Sequence, residues 1–128
     1  MPGRTEIVAE DAPRGSGAYS QAVRAGDFVF ISGQGPLDPR TLQIRGDTIR
    51  GQTERTLRNI QAIAEAAGGT LGDVVKVSAF LSSIEDFAAF DETYARFLDV
   101  HPRPARTTVA CELKDIMIEI DVVLHLPR

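Results

Sequence analysis

Hydrophobic and polar residues alternate most cleanly between Ile116 and His125. One set of positions is Ile116, Ile118, Ile120, Val122 and Leu124; the other is Met117, Glu119, Asp121, Val123 and His125. A period of two predicts a strand with one buried face. The preceding run, Pro104 to Cys111, is also β-prone, and Pro102 and Pro104 fix its approach. Near the start of the chain, Thr5–Ala9 predicts a short strand. Asp11 to Gly17 is rich in Pro, Gly and Ser and predicts a loop. Tyr19–Arg24 and Phe28–Gly33 flank Ala25-Gly26-Asp27 as the arms of a hairpin. Gly35 to Gly46 is a second turn region, broken by Pro36 and Asp38-Pro39. Asp73 to Leu81 predicts a further strand.

Two segments switch to helical spacing. Asp47 or Thr48 can cap a helix running to about Ala67, with Leu57, Ile60, Ala64 and Ala67 spaced three or four apart. Gly68-Gly69 suits a left-handed C-terminal cap. Ser83, with Asp86 three residues on, resembles a capping box. The helix it starts carries Phe87, Phe90, Tyr94, Phe97 and Leu98 on one side and ends near His101-Pro102. The predicted order is β-β-β-α-β-α-β-β. Two amphipathic helices packed on one face of a single sheet give an α+β fold. The opposite face of the last strand mixes Met117 and Val123 with Glu119 and Asp121. No element remains to cover it, which points to a second subunit.

A chain of 128 residues, 43% hydrophobic and 25% charged, predicts one domain (residues 1–128) with its own core. The net charge of −4, the absence of Trp and the scatter of the basic residues argue against phosphate backbones or base stacking, so no nucleic-acid partner is expected. Met1 to Ala12 has no apolar signal-like core, and no apolar stretch approaches membrane-spanning length. The single cysteine suits a reducing compartment, with the cytoplasm as default.

Several residues bear on chemistry. Arg106 stands near a strand start, with Glu119 expected on the neighbouring strand. It suits either a structural ion pair or a small-anion site, because guanidinium forks onto carboxylates and keeps its charge. Glu119 and Asp121 share a strand face. They are either a solvated face or a carboxylate pair for acid–base work. Ser32-Gly33-Gln34-Gly35 is either a bend or a place where a ligand approaches the backbone. Cys111, at an odd offset from Arg106, is expected to be a buried, inert thiol. His101 and His125 lack metal-ligand spacing, so no metal is expected. The aromatic stripe of the second helix reads as core.

Four blocks together resemble the YjgF/RidA family of enamine/imine deaminases. They are Gly17-Ala18-Tyr19-Ser20-Gln21-Ala22-Val23, Phe30 to Pro39 around Ser32-Gly33-Gln34, Pro104-Ala105-Arg106-Thr107-Thr108-Val109, and Ile118-Glu119-Ile120-Asp121. The resemblance implies a fold like bacterial chorismate mutase and a homotrimer with clefts between subunits. It implies that Arg106 grips a substrate carboxylate and that Glu119 positions water. Tyr19, Ser32, Gly33, Asp91 and Thr108 are the implied substrate-binding residues. Implied substrates are 2-imino acids of the 2-aminoacrylate type, and products are 2-keto acids and ammonia, with no cofactor. The chain departs from the family pattern at Ala18 (usually Pro), Gly35 (usually β-branched) and Leu42 (a turn Gly). Thr108 stands where many members have Cys, and Asp91 where the best-known branch has Asn. The link from Ala110 to Ile116 is about two residues short of the usual loop. The alternative functions are a small-carboxylate binding or sensing module in the same cleft, and an endoribonuclease or translation inhibitor, which the acidic composition disfavours.

Overall fold

The computed structural model describes residues 3–128, so the first two residues of the Met1–Ala12 segment lie outside it. Six strands form one mixed sheet: β1 (Thr5–Ile7), β2 (Ala22–Ala25), β3 (Phe28–Gln34), β4 (Val74–Leu81), β5 (Ala105–Ala110) and β6 (Ile118–His125). Their spatial order is β1-β2-β3-β6-β4-β5. Only the β4–β5 pair is parallel, because α2 (Phe87–Phe97) forms the crossover between them. The other pairs are antiparallel. Both α2 and the longer α1 (Ile49–Ala66) contribute buried side chains to one core. This is the α+β arrangement expected from the pattern.

β6 is central, and its alternation holds residue by residue. Ile118, Ile120, Val122 and Leu124 are buried, while Glu119, Asp121 and Val123 on the other face are only half-buried. Ile116 and Met117 fall outside the strand. The backbone N–H of Met117 is instead taken by the side-chain oxygen of Gln52 on α1, at 2.8 Å. β2 starts three residues later than expected, leaving Tyr19 in a loop. Gln21, just before it, is a buried clamp: its amide accepts from Ala9 N and donates to the carbonyls of Ala9, Ala12 and Pro13. The same contact ends β1 at Ile7, because the Ala9 N–H is no longer free for the sheet.

Thr48 caps α1, its hydroxyl accepting from Gly51 N at 3.1 Å, and Gly68 at φ +93° closes the far end. The Ser83/Asp86 capping box does not form. Ser83 caps a short 3₁₀ turn through Glu85 N, and Asp86 makes no side-chain cap. The reciprocal box is at Thr70/Asp73, where Asp73 accepts from Thr70 N at 2.9 Å. Cys111 is exposed, contrary to expectation. The parity argument assumed an unbroken strand, but β5 ends at Ala110, on the sheet edge.

The turn after β3 is built on Asp38. Its carboxylate accepts from the backbone N–H of Arg40 and Thr41, which holds its pKa down to about 2. Leu42, in the same turn, has φ +62° and an exposed side chain. A left-handed leucine costs roughly 1–2 kcal/mol, which glycine avoids at the expense of unfolded-chain entropy. Leu42→Gly is therefore expected to raise the unfolding free energy by up to about 1 kcal/mol. Urea denaturation at fixed protein concentration checks this, and a lower midpoint would contradict it.

Candidate active site

The polar residues singled out in the sequence fall into two clefts. The first lies between the start of β5 and α2. Arg106 pairs in register with Val77 of β4, a buried residue, so its side chain points to the helix-bearing face. The Arg106 side chain is 20% exposed, and Nη1 donates to Asp91 Oδ1 at 2.7 Å. Its carbon lies 4.6 Å from the ring centroid of Tyr94, 5.1 Å from Phe90 and 5.5 Å from Phe87. A cation held over ring faces gains quadrupole attraction, more as water is excluded. The bond to Asp91 is the guanidinium's only hydrogen bond among the described residues. Its remaining N–H groups border a cleft of about 480 Å³, lined by Asp91, Tyr94, Ala95, Arg103, Pro104 and Arg106.

Two hydroxyls near this cation have no partner. Tyr94 is 4% exposed and its phenol oxygen is buried and unpaired. Burial pushes its pKa up, and the charge of Arg106 pulls it partly back. Thr108, two residues along β5 on the same face, likewise buries an unpaired oxygen. Native proteins seldom leave such atoms unsatisfied, and both hydroxyls lack a partner within the single chain.

The second cleft, of about 420 Å³, is lined by Tyr19, Ile31, Ser32, Gly33, Glu119 and Asp121. A bulge shapes it. Between the pairs Ile31–Val122 and Gln34–Ile120, β3 advances three residues while β6 advances two. Gln34 is thereby turned inward, beside Ile31 in burial, and Ser32-Gly33 sit beside the carboxylate. A Cβ at Gly33 would collide with Glu119 Oε2 and lie 3.0 Å from its Cδ. Ser32 Oγ donates to Ser20 O at 2.6 Å, tying the loop of Tyr19 to the strand. The Tyr19 ring lies so close to Gly15 that a Cβ there would meet it at 2.6 Å. Burial, and then the charge of Asp121, raise the Glu119 pKa.

The expectation that Arg106 and Glu119 occupy neighbouring strands is corrected. β4 lies between β5 and β6. Arg106 aligns through Val77 with Val122, whereas Glu119 aligns with Phe80. An odd offset separates Val122 from Glu119, so the two side chains project from opposite faces of the sheet. Tyr19, Ser32 and Gly33 stand with Glu119; Asp91 and Thr108 stand with Arg106. One chain thus carries two separate polar clefts.

Sequence reasoning missed the supports. Tyr94 was assigned to the core, although its hydroxyl lies by Arg106. Gln52 and Asn59 are buried on α1. Asn59 donates to the carbonyls of Gly35 and Leu37, and Gln52 to that of Gly46, so α1 holds the loops beside the second cleft. Their seven-residue spacing on the apolar side of the helix was the available signal.

Two outcomes follow from the second cleft. Gly33→Ala should displace the flexible Glu119 side chain rather than the backbone, lowering unfolding free energy by no more than about 1 kcal/mol while altering ligand binding in this cleft. Denaturation together with ligand titration checks that split. Second, a carboxyl with a raised folded-state pKa binds its proton more tightly when folded, so its ionisation weakens the fold as pH rises through that range. Glu119→Gln should be more stable than the parent at neutral pH, and the gain should vanish below the ordinary carboxylate range. Denaturation across pH at constant concentration reads this; a gain that grows toward acid pH would contradict it.

The family description "Endoribonuclease L-PSP" matches residues 9–126. A RutC family protein of Pyrococcus horikoshii is 45% identical over 121 residues, covering 93% of this chain and 95% of its own. A 2-iminobutanoate/2-iminopropanoate deaminase of Salmonella typhimurium is 40% identical over 121 residues, covering 91% and 94%. Among solved structures, RidA from Psychrobacter superposes with a TM-score of 0.89 at 40% identity, covering 95% and 99% of the two chains. Escherichia coli TdcF with bound serine superposes with a TM-score of 0.88 at 35% identity, covering 94% and 98%. With both the family description and these relatives spanning almost all of it, the chain belongs to the YjgF/RidA family.

Proposed function

We propose that this protein hydrolyses 2-imino acids and their enamine tautomers, of the 2-aminoacrylate type, to 2-keto acids and ammonia. The observation that carries this reading is Arg106: a ring-walled, mostly buried cation whose remaining N–H groups open on a cleft. A small carboxylate fits that fork. The deaminase activity named for the Salmonella relative and the serine bound by TdcF support a small substrate with a carboxylate and an α-nitrogen.

Joining the two half-sites requires a second copy of the chain. The open sheet face exposes Phe30 and Val109 beside half-buried Phe80 and Val123, an apolar surface suited to self-association as a homotrimer. One protomer's Arg106 cleft then meets its neighbour's Glu119 cleft. The iminium carbon is already electrophilic, so the protein has only to hold the substrate and aim a water. Glu119 takes a proton from the attacking water as the C–O bond forms. It returns the proton to nitrogen, and as the C–N bond of the carbinolamine breaks the ionised carboxylate takes up the hydroxyl proton, releasing ammonia and the keto acid. A carboxyl with a raised pKa suits both proton transfers. Ser32 and Tyr19 shape the water's side of the cleft, and Thr108 and Tyr94 offer hydroxyls on the other.

A coupled assay tests this. An amino acid oxidase generates imines, semicarbazide traps them, and accelerated loss of semicarbazone reports hydrolysis. Removing a charge partner of the substrate costs about 2–5 kcal/mol, so Arg106→Ala should lower kcat/KM at least roughly thirtyfold. Glu119→Gln should lower the rate while leaving pyruvate binding intact. Equal acceleration by wild type and Arg106→Ala would overturn the assignment. A Glu119→Gln protein with unchanged turnover would remove Glu119 from the proton transfers, and a wild type that binds pyruvate without accelerating imine loss would leave a carboxylate-binding module instead.

A further inference from the structure

We propose that Asp91 is a specificity-determining residue: its carboxylate holds the protonated nitrogen of the substrate while Arg106 holds the carboxylate, so that the cleft selects zwitterions over simple acids. This rests on the reading of the Arg106 cleft as a carboxylate site and adds the recognition of nitrogen.

The charges of the cleft carry the inference. Arg106 is not a free cation, because Asp91 lies 2.7 Å from it. The other lining arginine, Arg103, donates to the carbonyls of Ala95 and Leu98 and stands 3.5 Å from Asp99. Asp99 lies outside the lining and also meets His101 Nε2 at 3.1 Å, so Asp91 is the carboxylate that lines the cleft beside the two arginines. A simple carboxylate entering it gains Arg106 but meets Asp91 as a like charge. A 2-imino acid protonated on nitrogen brings a cation separated from its carboxyl carbon only by the α-carbon. With the carboxylate on the guanidinium, that N–H group falls beside the acceptor that Arg106 already touches. Asp91 is about half exposed, whereas Arg106 is mostly buried, so the aspartate can turn to the guest without uncovering the arginine.

The arrangement has a chemical consequence. Asp91 favours the protonated imine, which is the more electrophilic form, over the neutral one. The 2-keto acid product has lost that N–H cation and faces the aspartate with a carboxylate and a carbonyl oxygen. Nitrogen leaves with its proton, and the site then repels what remains, which speeds release. Asp91 thus distinguishes substrate from product within one cleft.

Alanine and propanoate make the test, because they have the same carbon skeleton and differ in the ammonium group. Titration calorimetry on the full chain, as assembled, gives both Kd values for wild type, Asp91→Asn, Asp91→Ala and Arg106→Ala. Wild type should bind alanine about tenfold more tightly than propanoate, the worth of one charged hydrogen bond. Both Asp91 variants should bring the ratio near one, with propanoate and pyruvate binding more tightly and alanine more weakly. A ratio unchanged by either substitution, or both ligands shifted alike, overturns the role of Asp91. If those results come with loss of both ligands in Arg106→Ala, the carboxylate site stands without it. If Arg106→Ala leaves both Kd values unchanged, the carboxylate reading fails and this proposal with it.

Discussion

A guanidinium cannot shed its charge, so a fold that buries one has to surround it with compensation. Arg106 meets this constraint with the faces of three aromatic rings and one carboxylate. The requirement reaches far into the architecture. α2 must bring Phe87, Phe90, Asp91 and Tyr94 over the edge of the sheet, and β5 must run parallel to β4 to present Arg106 beneath them. Phe90 and Tyr94 serve the core and the cation together, which ties the position of the charge to the packing of the domain. Phe87, by contrast, is 38% exposed and has little core to fill; the contact with the cation is what its ring offers.

The Glu119 side depends on a different kind of support. No ion pair with Glu119 forms among the described residues. The carboxylate is placed by the β3 bulge, by the absence of a side chain at Gly33, and by loops that buried amides hold in position. Gln21, Gln52 and Asn59 each satisfy backbone groups that no strand or helix serves. Buried polar groups of this sort are costly unless paired, and here each is paired to a loop bordering the cleft. Part of the stability of the domain therefore resides in the positioning of the second cleft.

The legible parts of the fold were those that depend on local spacing. The alternation in β6, the stripe of α1 and the cap at Gly68 all hold, because each reflects neighbours within a few residues. Arg106, Asp91 and Glu119 were singled out from the sequence. Their grouping was not legible, because strand order is set by non-local pairing, and the insertion of β4 between β5 and β6 leaves no trace in either strand. The parity argument failed at Cys111, where the strand had already ended. Gln52 and Asn59 were not singled out, because a lone helix amide looks the same whether it faces water or a loop carbonyl. The hydroxyl of Tyr94 was hidden inside a stripe whose rings do belong to the core.

The two polar clefts project from opposite faces of a single sheet, and this has a genetic consequence under the intersubunit reading. Lesions in them are borne by separable surfaces of the same polypeptide. A chain defective at Arg106 still offers its neighbour a sound Glu119, and a chain defective at Glu119 still offers a sound Arg106. Rings mixed from the two would contain some junctions where both intact surfaces meet, so two inactive alleles expressed together would restore part of what each has lost alone.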